Sequence, residues 1–236
     1  MSELDEVIDA LLLAAEDALD EGDLERAGEG LRAIQEMVGS RDARVSHLYG
    51  LIRWETAGPR HALPALRDAV SLDPDDADAR HALARACEES GHLEEAIKHF
   101  LVVRRLDEAR DAELGVGSEE DLDFIEHVAF EVIERLPAEL RDRLRSIPVI
   151  LEPRPAEAIV EEGFDPRALG LFDGPPIGSD EPSGTLPPRI VLFSTNLLAS
   201  YPEREELEKQ VAITILHEVG HYFGLDEADM ERLGLD

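Results

Sequence analysis

The residues of this chain best suited to chemistry are His217, Glu218 and His221, in the stretch TILHEVGHYFGLDE. In an α-helix four residues turn through ~400°, so positions i and i+4 lie about 40° apart around the axis. His217 and His221 therefore project from one face, and two imidazoles at that spacing can grip one Zn²⁺ from the same side. Glu218 lies about 100° further round, poorly placed as a third ligand but able to reach a water on the metal. Val211, Ile215, Leu216, Val219 and Phe223 make the rest of this helix apolar. Burying two imidazoles and a carboxylate among such residues is costly unless they are paired or ligated.

A zinc that turns over substrate needs three protein ligands and an open position. Gly224, three residues after His221, stands where a helix ends in a left-handed turn, and Asp226 and Glu227 follow it directly. Either acid is a candidate third ligand. Asp226 also suits the N-cap of a terminal helix, with Asp229 three residues on, and Glu227 suits the first turn of that helix.

The elements that must position these groups fall in the second half. Residues 119–135 carry an apolar face (Leu122, Ile125, Val128, Ala129, Val132, Ile133) and read as a helix stopped by Pro137. PAELRDRLRS predicts a short second helix. PVILE (148–152), LGLFDG (169–174) and RIVLFS (189–194) predict short strands, the last most strongly. Residues 173–188 are dense in Gly, Pro and Ser and predict an exposed loop, and residues 203–223 predict the long helix of the motif.

The first ~110 residues show no strand-like alternation and read as consecutive amphipathic helices. GDLERA, GPRHA and GHLEEA place Ala27, Ala62 and Ala96 at spacings of 35 and 34 residues. Small residues at Gly50, Ala62 and Ala96 let neighbouring helices approach closely, so that each helix pair buries its apolar face on the next. Residues 109–118, with two glycines, read as a linker.

Two resemblances follow. Residues 8–108 resemble three tetratricopeptide repeats. Ala15, Ala27 and Leu31, then Gly50, Ala62, Ala69 and Pro74, then Ala96 and Phe100 fall on repeat positions, while Arg53, Cys87 and Glu108 depart from them. Residues 119–236 resemble the small bacterial zincin-like metallopeptidases, a minimal matrix-metalloprotease-like domain. The matching stretches are ERLPAEL, PVILEPRP, LGLFDG, PPRIVLF and VAITILHEVGHYFGLDE. The run HEVGHYFGLDE is similar to the extended motif H-E-x-x-H-x-x-G-x-x-H/D, whose last position falls on Glu227, one residue after Asp226. The resemblance implies a zinc hydrolase acting on peptide bonds, with His217, His221 and Glu227 (or Asp226) as ligands and Glu218 as general base. It also implies that RIVLF lines the cleft and takes an extended substrate as an added strand. The methionine turn of larger relatives has no counterpart, and Met230 reads as packing. Tyr222 and Tyr201 are candidate oxyanion donors, although packing suits both.

The expected fold class is therefore α+β: an N-terminal all-α tetratricopeptide-like solenoid (1–112), then a small zincin-like α+β domain (119–236) with a short mixed sheet and an HExxH helix. The expected function is a zinc-dependent metallopeptidase whose repeats bind a partner or substrate. The alternative is a metal-binding but non-catalytic adaptor acting through its repeats. The net charge of −31 argues against a nucleic-acid binder and an anionic-membrane binder; it would attract a basic peptide or protein partner over long range, although surface solvation accounts for the acids equally simply. The acidic N-terminus does not resemble a signal peptide, and the single cysteine, Cys87, makes no internal disulfide. Both point to a cytoplasmic protein.

Overall fold

The computed structural model describes residues 3–39, 41–175, 177 and 187–234. Contacts divide the chain into two compact units, Met1–Glu108 with Glu157–Phe164, and Ala109–Ala156 with Asp165–Asp236.

The first unit is helical. Its helices are α1 (Glu3–Asp20), α2 (Leu24–Val38), α3 (Ala43–Ala57), α4 (Pro59–Leu72), α5 (Ala77–Glu89) and α6 (Leu93–Leu114), which form three successive pairs. Local chemistry sets the starts: Asp23, Asp42 and Asp76 each accept backbone N–H groups of the first turn of α2, α3 and α5. Pro59 opens α4, where its missing N–H costs nothing. Most repeat positions read from the sequence are buried: Ala15, Ala27, Ala62, Ala69, Ala96 and Phe100 are essentially inaccessible, while Pro74 is exposed. Gly50 shows why a small residue is required, since a Cβ there would lie 2.6 Å from Leu66 Cδ2 across the α3–α4 contact. The short helix α9 (Glu157–Glu161) adds Val160 to the cluster built from α4, α5 and α6. Cys87 belongs to the same cluster, and burial raises its thiol to about 11, so it is inert packing.

The linker expected over 109–118 is corrected in part. Ala, Arg, Glu and Leu in ARDAEL keep the helix going, and α6 ends only where Gly115 turns to φ 65°.

The second unit has α7 (Glu119–Arg135), α8 (Ala138–Leu144), β1 (Val149–Glu152), β2 (Gly170–Asp173), β3 (Arg189–Phe193), α10 (Ser194–Ser200), α11 (Arg204–Tyr222) and α12 (Glu227–Leu233). Ser118 and Asp121 close a reciprocal capping box on α7. The sheet order is β1-β3-β2, with β1 parallel and β2 antiparallel to β3. A centrally placed strand is buried on both faces, which is why RIVLF is a continuous apolar run. Leu207, Val211, Ile215 and Val219 recur every four residues along α11 and pack with Ile125, Val128, Ile190 and Leu192 in one core. Most of the loop expected over 173–188 lies outside the described residues. No helix of the described residues is long and apolar enough to cross a membrane.

Two predictions concern the helical unit. Gly50→Leu overpacks the α3–α4 contact and lowers stability by about 1–3 kcal/mol in chemical denaturation. Burial holds the His47 imidazole below its ordinary 6.5, outweighing the opposing charges of Asp76 and Asp78. The unfolded chain therefore binds this proton at higher pH than the folded one, so the stability it contributes is complete above 6.5 and is lost as pH falls below it. In His47→Gln the drop in thermal stability between about pH 7.5 and 5.5 is correspondingly smaller.

Candidate metal centre

Helix α11 presents His217 and His221 one turn apart, and their Nε2 atoms come within 2.9 Å of each other with the rings 79° apart. The helix ends at Tyr222 in a Schellman motif. Gly224 adopts φ 82°, its N–H donates to the His221 carbonyl, and the Leu225 N–H donates to the Gly220 carbonyl. This turn aims the Leu225 carbonyl at His221 Nδ1, 3.3 Å away. A carbonyl only accepts, so Nδ1 donates this bond and Nε2 is the nitrogen that faces the site.

The same reversal starts α12. Asp226 Oδ1 accepts from the Asp229 N–H, and Asp229 Oδ2 accepts from the Asp226 N–H, a reciprocal cap. Glu227, first residue of the helix, turns the other way. Its carboxylate oxygens lie 3.3 Å from His221 Nε2 and 3.8 Å from His217 Nε2. Ligand atoms of His217, His221 and Glu227 all fall within 4.8 Å of one another, the one such group among the described residues. The histidine side chains are 22% and 28% exposed and Glu227 77%, so the cluster opens to solvent on the Glu227 side.

What holds α12 down is Met230. It is fully buried, and its thioether occupies the space that a Cβ on Gly220 would fill, with Cε 2.2 Å from that position. Gly220 lies inside the motif, between Glu218 and His221. Met230 is thus packing, as its place after the motif implied, and the packing brings Glu227 to the histidines.

Glu218 sits on the inner side, only 5% exposed. Strand β2 crosses it: the Phe172 N–H donates to its carboxylate, and a Cβ on Gly170 would lie 2.8 Å from Glu218 Oε1 and 2.6 Å from Thr214 Cγ2. Burial pushes the Glu218 carboxyl up to about 7, against the opposing pull of His217 and the Phe172 amide, and the Glu227 charge adds to the rise. Gly170 and the Phe172 amide were not singled out from the sequence, since neither a glycine at a strand end nor a backbone N–H carries a motif.

Asn196 was missed as well. It is buried, its Nδ2 donates to the Pro166 and Ala168 carbonyls, and its Oδ1 accepts from Arg154, which also pairs with Asp111. This network anchors the chain entering β2, and so the strand over Glu218. An asparagine within the apolar run FSTNLLA was the available signal.

One expectation is corrected here. β3 cannot take an added strand, because β1 and β2 already pair with its two edges. Among the described residues β2 is an edge strand, and it is β2 that touches Glu218. Tyr222 belongs to the core and donates to the Arg143 carbonyl at 3.4 Å, while Tyr201 packs against the same core. Neither is set as an oxyanion donor.

A small mixed sheet backed by an HExxH helix, with a carboxylate returned by a glycine turn, is the architecture of a zincin-like domain. Residues 144–235 match the family model described as Zincin-like metallopeptidase, and residues 59–113 match that of the Tetratricopeptide repeat. No curated protein matches the chain. The chain thus carries a zincin-like domain preceded by tetratricopeptide repeats. The repeat match covers α4 to α6, and α1 to α3 continue the same pairing of helices towards the N-terminus.

The different surroundings of the two acids separate them experimentally. Glu227→Ala lowers zinc affinity at least about 100-fold in competition with a chromophoric chelator, while Asp226→Ala costs about 0.5–2 kcal/mol of stability through the lost cap and weakens zinc far less.

Proposed function

We propose that the second unit is a zinc-dependent peptidase, with His217, His221 and Glu227 as the ligands and Glu218 as the general base. The observation that carries the reading is the convergence of two imidazole nitrogens and a carboxylate oxygen beside a buried glutamate. Two nitrogens and one oxygen suit zinc, and one cation would satisfy all three, whereas in its absence one imidazole must donate to the other. Zinc in such a site supplies Lewis acidity to a substrate carbonyl and acidifies a water.

The chain's own residues do the rest. Glu218 takes one proton from the attacking water on its carboxylate. As the oxygen–carbon bond forms and the carbon–nitrogen bond breaks, it passes that proton to the leaving amine. A carboxyl raised to about 7 is matched to both halves of this task near neutral pH. The Phe172 amide and the close approach of Gly170 fix its rotamer, so no reorganisation is needed at the moment of transfer. His221 is oriented by Leu225, and Glu227 by the clamp of Met230 on Gly220. β2, an edge strand among the described residues and next to Glu218, suits a substrate in extended conformation. The repeats supply a surface for a partner or a substrate protein.

Glu218→Gln retains zinc by elemental analysis and lowers chelator-sensitive cleavage of unstructured casein by a factor on the order of 10³ or more. Parent-like cleavage by this variant would remove Glu218 from the reaction. Gly170→Val pushes a branched side chain into Glu218 and Thr214. It lowers kcat by about 100-fold with zinc content unchanged, since it displaces the base and not the ligands.

A further inference from the structure

The repeat unit contains a cavity of about 320 Å³ that the peptidase reading does not use. Its walls come from the first helix of each pair, α1, α3 and α5. Each of these helices contributes one carboxylate, namely Glu16, Glu55 and Glu89, and α3 adds Leu51 and the half-buried Trp54. The single cation on the wall, Arg85, stands 3.7 Å from Glu89 and 3.7 Å from Glu88, so it offsets only part of the negative charge. Three carboxylates around an apolar, aromatic floor make a cleft in which low-dielectric walls focus a negative potential. An acidic segment is repelled from such a place. A guanidinium or ammonium gains from the Trp54 ring and from the carboxylates together, while its aliphatic stem lies on Leu51. The volume accommodates one or two side chains, not a folded domain. The net charge of −31 attracts a cationic partner over long range before contact.

We propose that this groove binds a basic segment of a partner protein, one that carries arginine or lysine beside an apolar residue, with the cation over Trp54 and between Glu16, Glu55 and Glu89. The proposal rests on the reading of the repeats as a protein-interaction surface, and is independent of whether the second unit cleaves peptides.

The chain contains one tryptophan, so Trp54 fluorescence reports on the groove directly. The full chain carrying Glu218→Gln, which cannot cut the probe, is titrated with a short synthetic peptide alternating leucine and arginine. Anisotropy of the labelled peptide gives an independent Kd. The expected result is a saturable change in Trp54 emission with the same Kd by both readouts, weakening as salt rises. Glu55→Lys/Glu89→Lys, at two exposed positions, binds about ten-fold or more weakly with an unchanged far-UV circular dichroism spectrum. A leucine–glutamate peptide does not bind, and a metal chelator leaves the Kd unchanged. The proposal is overturned by any of four results: no saturable change, equal binding of the glutamate peptide, unchanged affinity in the double variant, or loss of binding with chelator, which would place the peptide at the metal centre. Arginine amide alone competing as well as the peptide would also overturn it, because the site would then recognise a free cation. Failure of zinc uptake with peptide binding intact sinks only the peptidase reading.

Discussion

The geometry of the proposed metal centre depends on how the chain leaves helix α11. A helix continued past Tyr222 would carry Asp226 and Glu227 onward along its axis and leave two histidines with no third donor. Gly224 adopts a left-handed conformation that other residues reach only at a cost, and the Schellman bonds of Gly224 and Leu225 lock the reversal. The turn accomplishes two things at once. It fixes the hydrogen of His221 on Nδ1 through the Leu225 carbonyl, and it starts a helix whose first residue is the carboxylate. Met230 then closes that helix on the bare backbone at Gly220, inside the motif itself. Glycine is therefore needed twice within five residues, once for its conformation and once for its lack of a side chain.

A second constraint acts from the other side of α11. Glu218 is a carboxylate in the core, and a bare charge there is unfavourable. Its partners are what an edge strand can supply: an amide from Phe172 and close packing from Gly170. The position of that strand is set in turn by Asn196, whose Nδ2 donates to the carbonyls leading into β2 and whose Oδ1 accepts from Arg154, itself paired with Asp111. A chain of polar contacts thus runs from a buried ion pair to the proposed base. Breaking a buried pair of this kind leaves an uncompensated charge, so its influence reaches further than its distance from the metal centre would imply.

Much of this was legible in the sequence where a period or a special backbone angle had to be written into it. The helix pairs of the repeat unit follow from alanines near a 34-residue spacing, a strand from RIVLF, and the end of α11 from Gly224. The two acids were left open because spacing alone cannot tell a cap from a ligand. The reciprocal bonds between Asp226 and Asp229 are what set their surroundings apart. The edge open to an extended substrate was expected on RIVLF from the family resemblance, and the order of strands in a sheet is a long-range property that an apolar run does not reveal, since RIVLF is apolar whether central or at a border. Helix α10 was missed because it follows β3 with no intervening turn residue, so STNLLAS reads as a continuation of the strand. The reach of α6 past residue 108 was missed for the opposite reason: Gly115 and Gly117 drew the boundary too early, although ARDAEL before them is a good helix former.

The central claim is that one zinc ion is held by two imidazoles and one carboxylate, with a position left open. Zinc K-edge X-ray absorption of the metal-loaded full chain tests it most directly. The account predicts a first shell of nitrogen and oxygen at about 2.0–2.1 Å with outer-shell scattering from two imidazole rings and no sulfur. A sulfur shell, which would have to come from Cys87 or a methionine, or the scattering of fewer than two imidazoles, would contradict it.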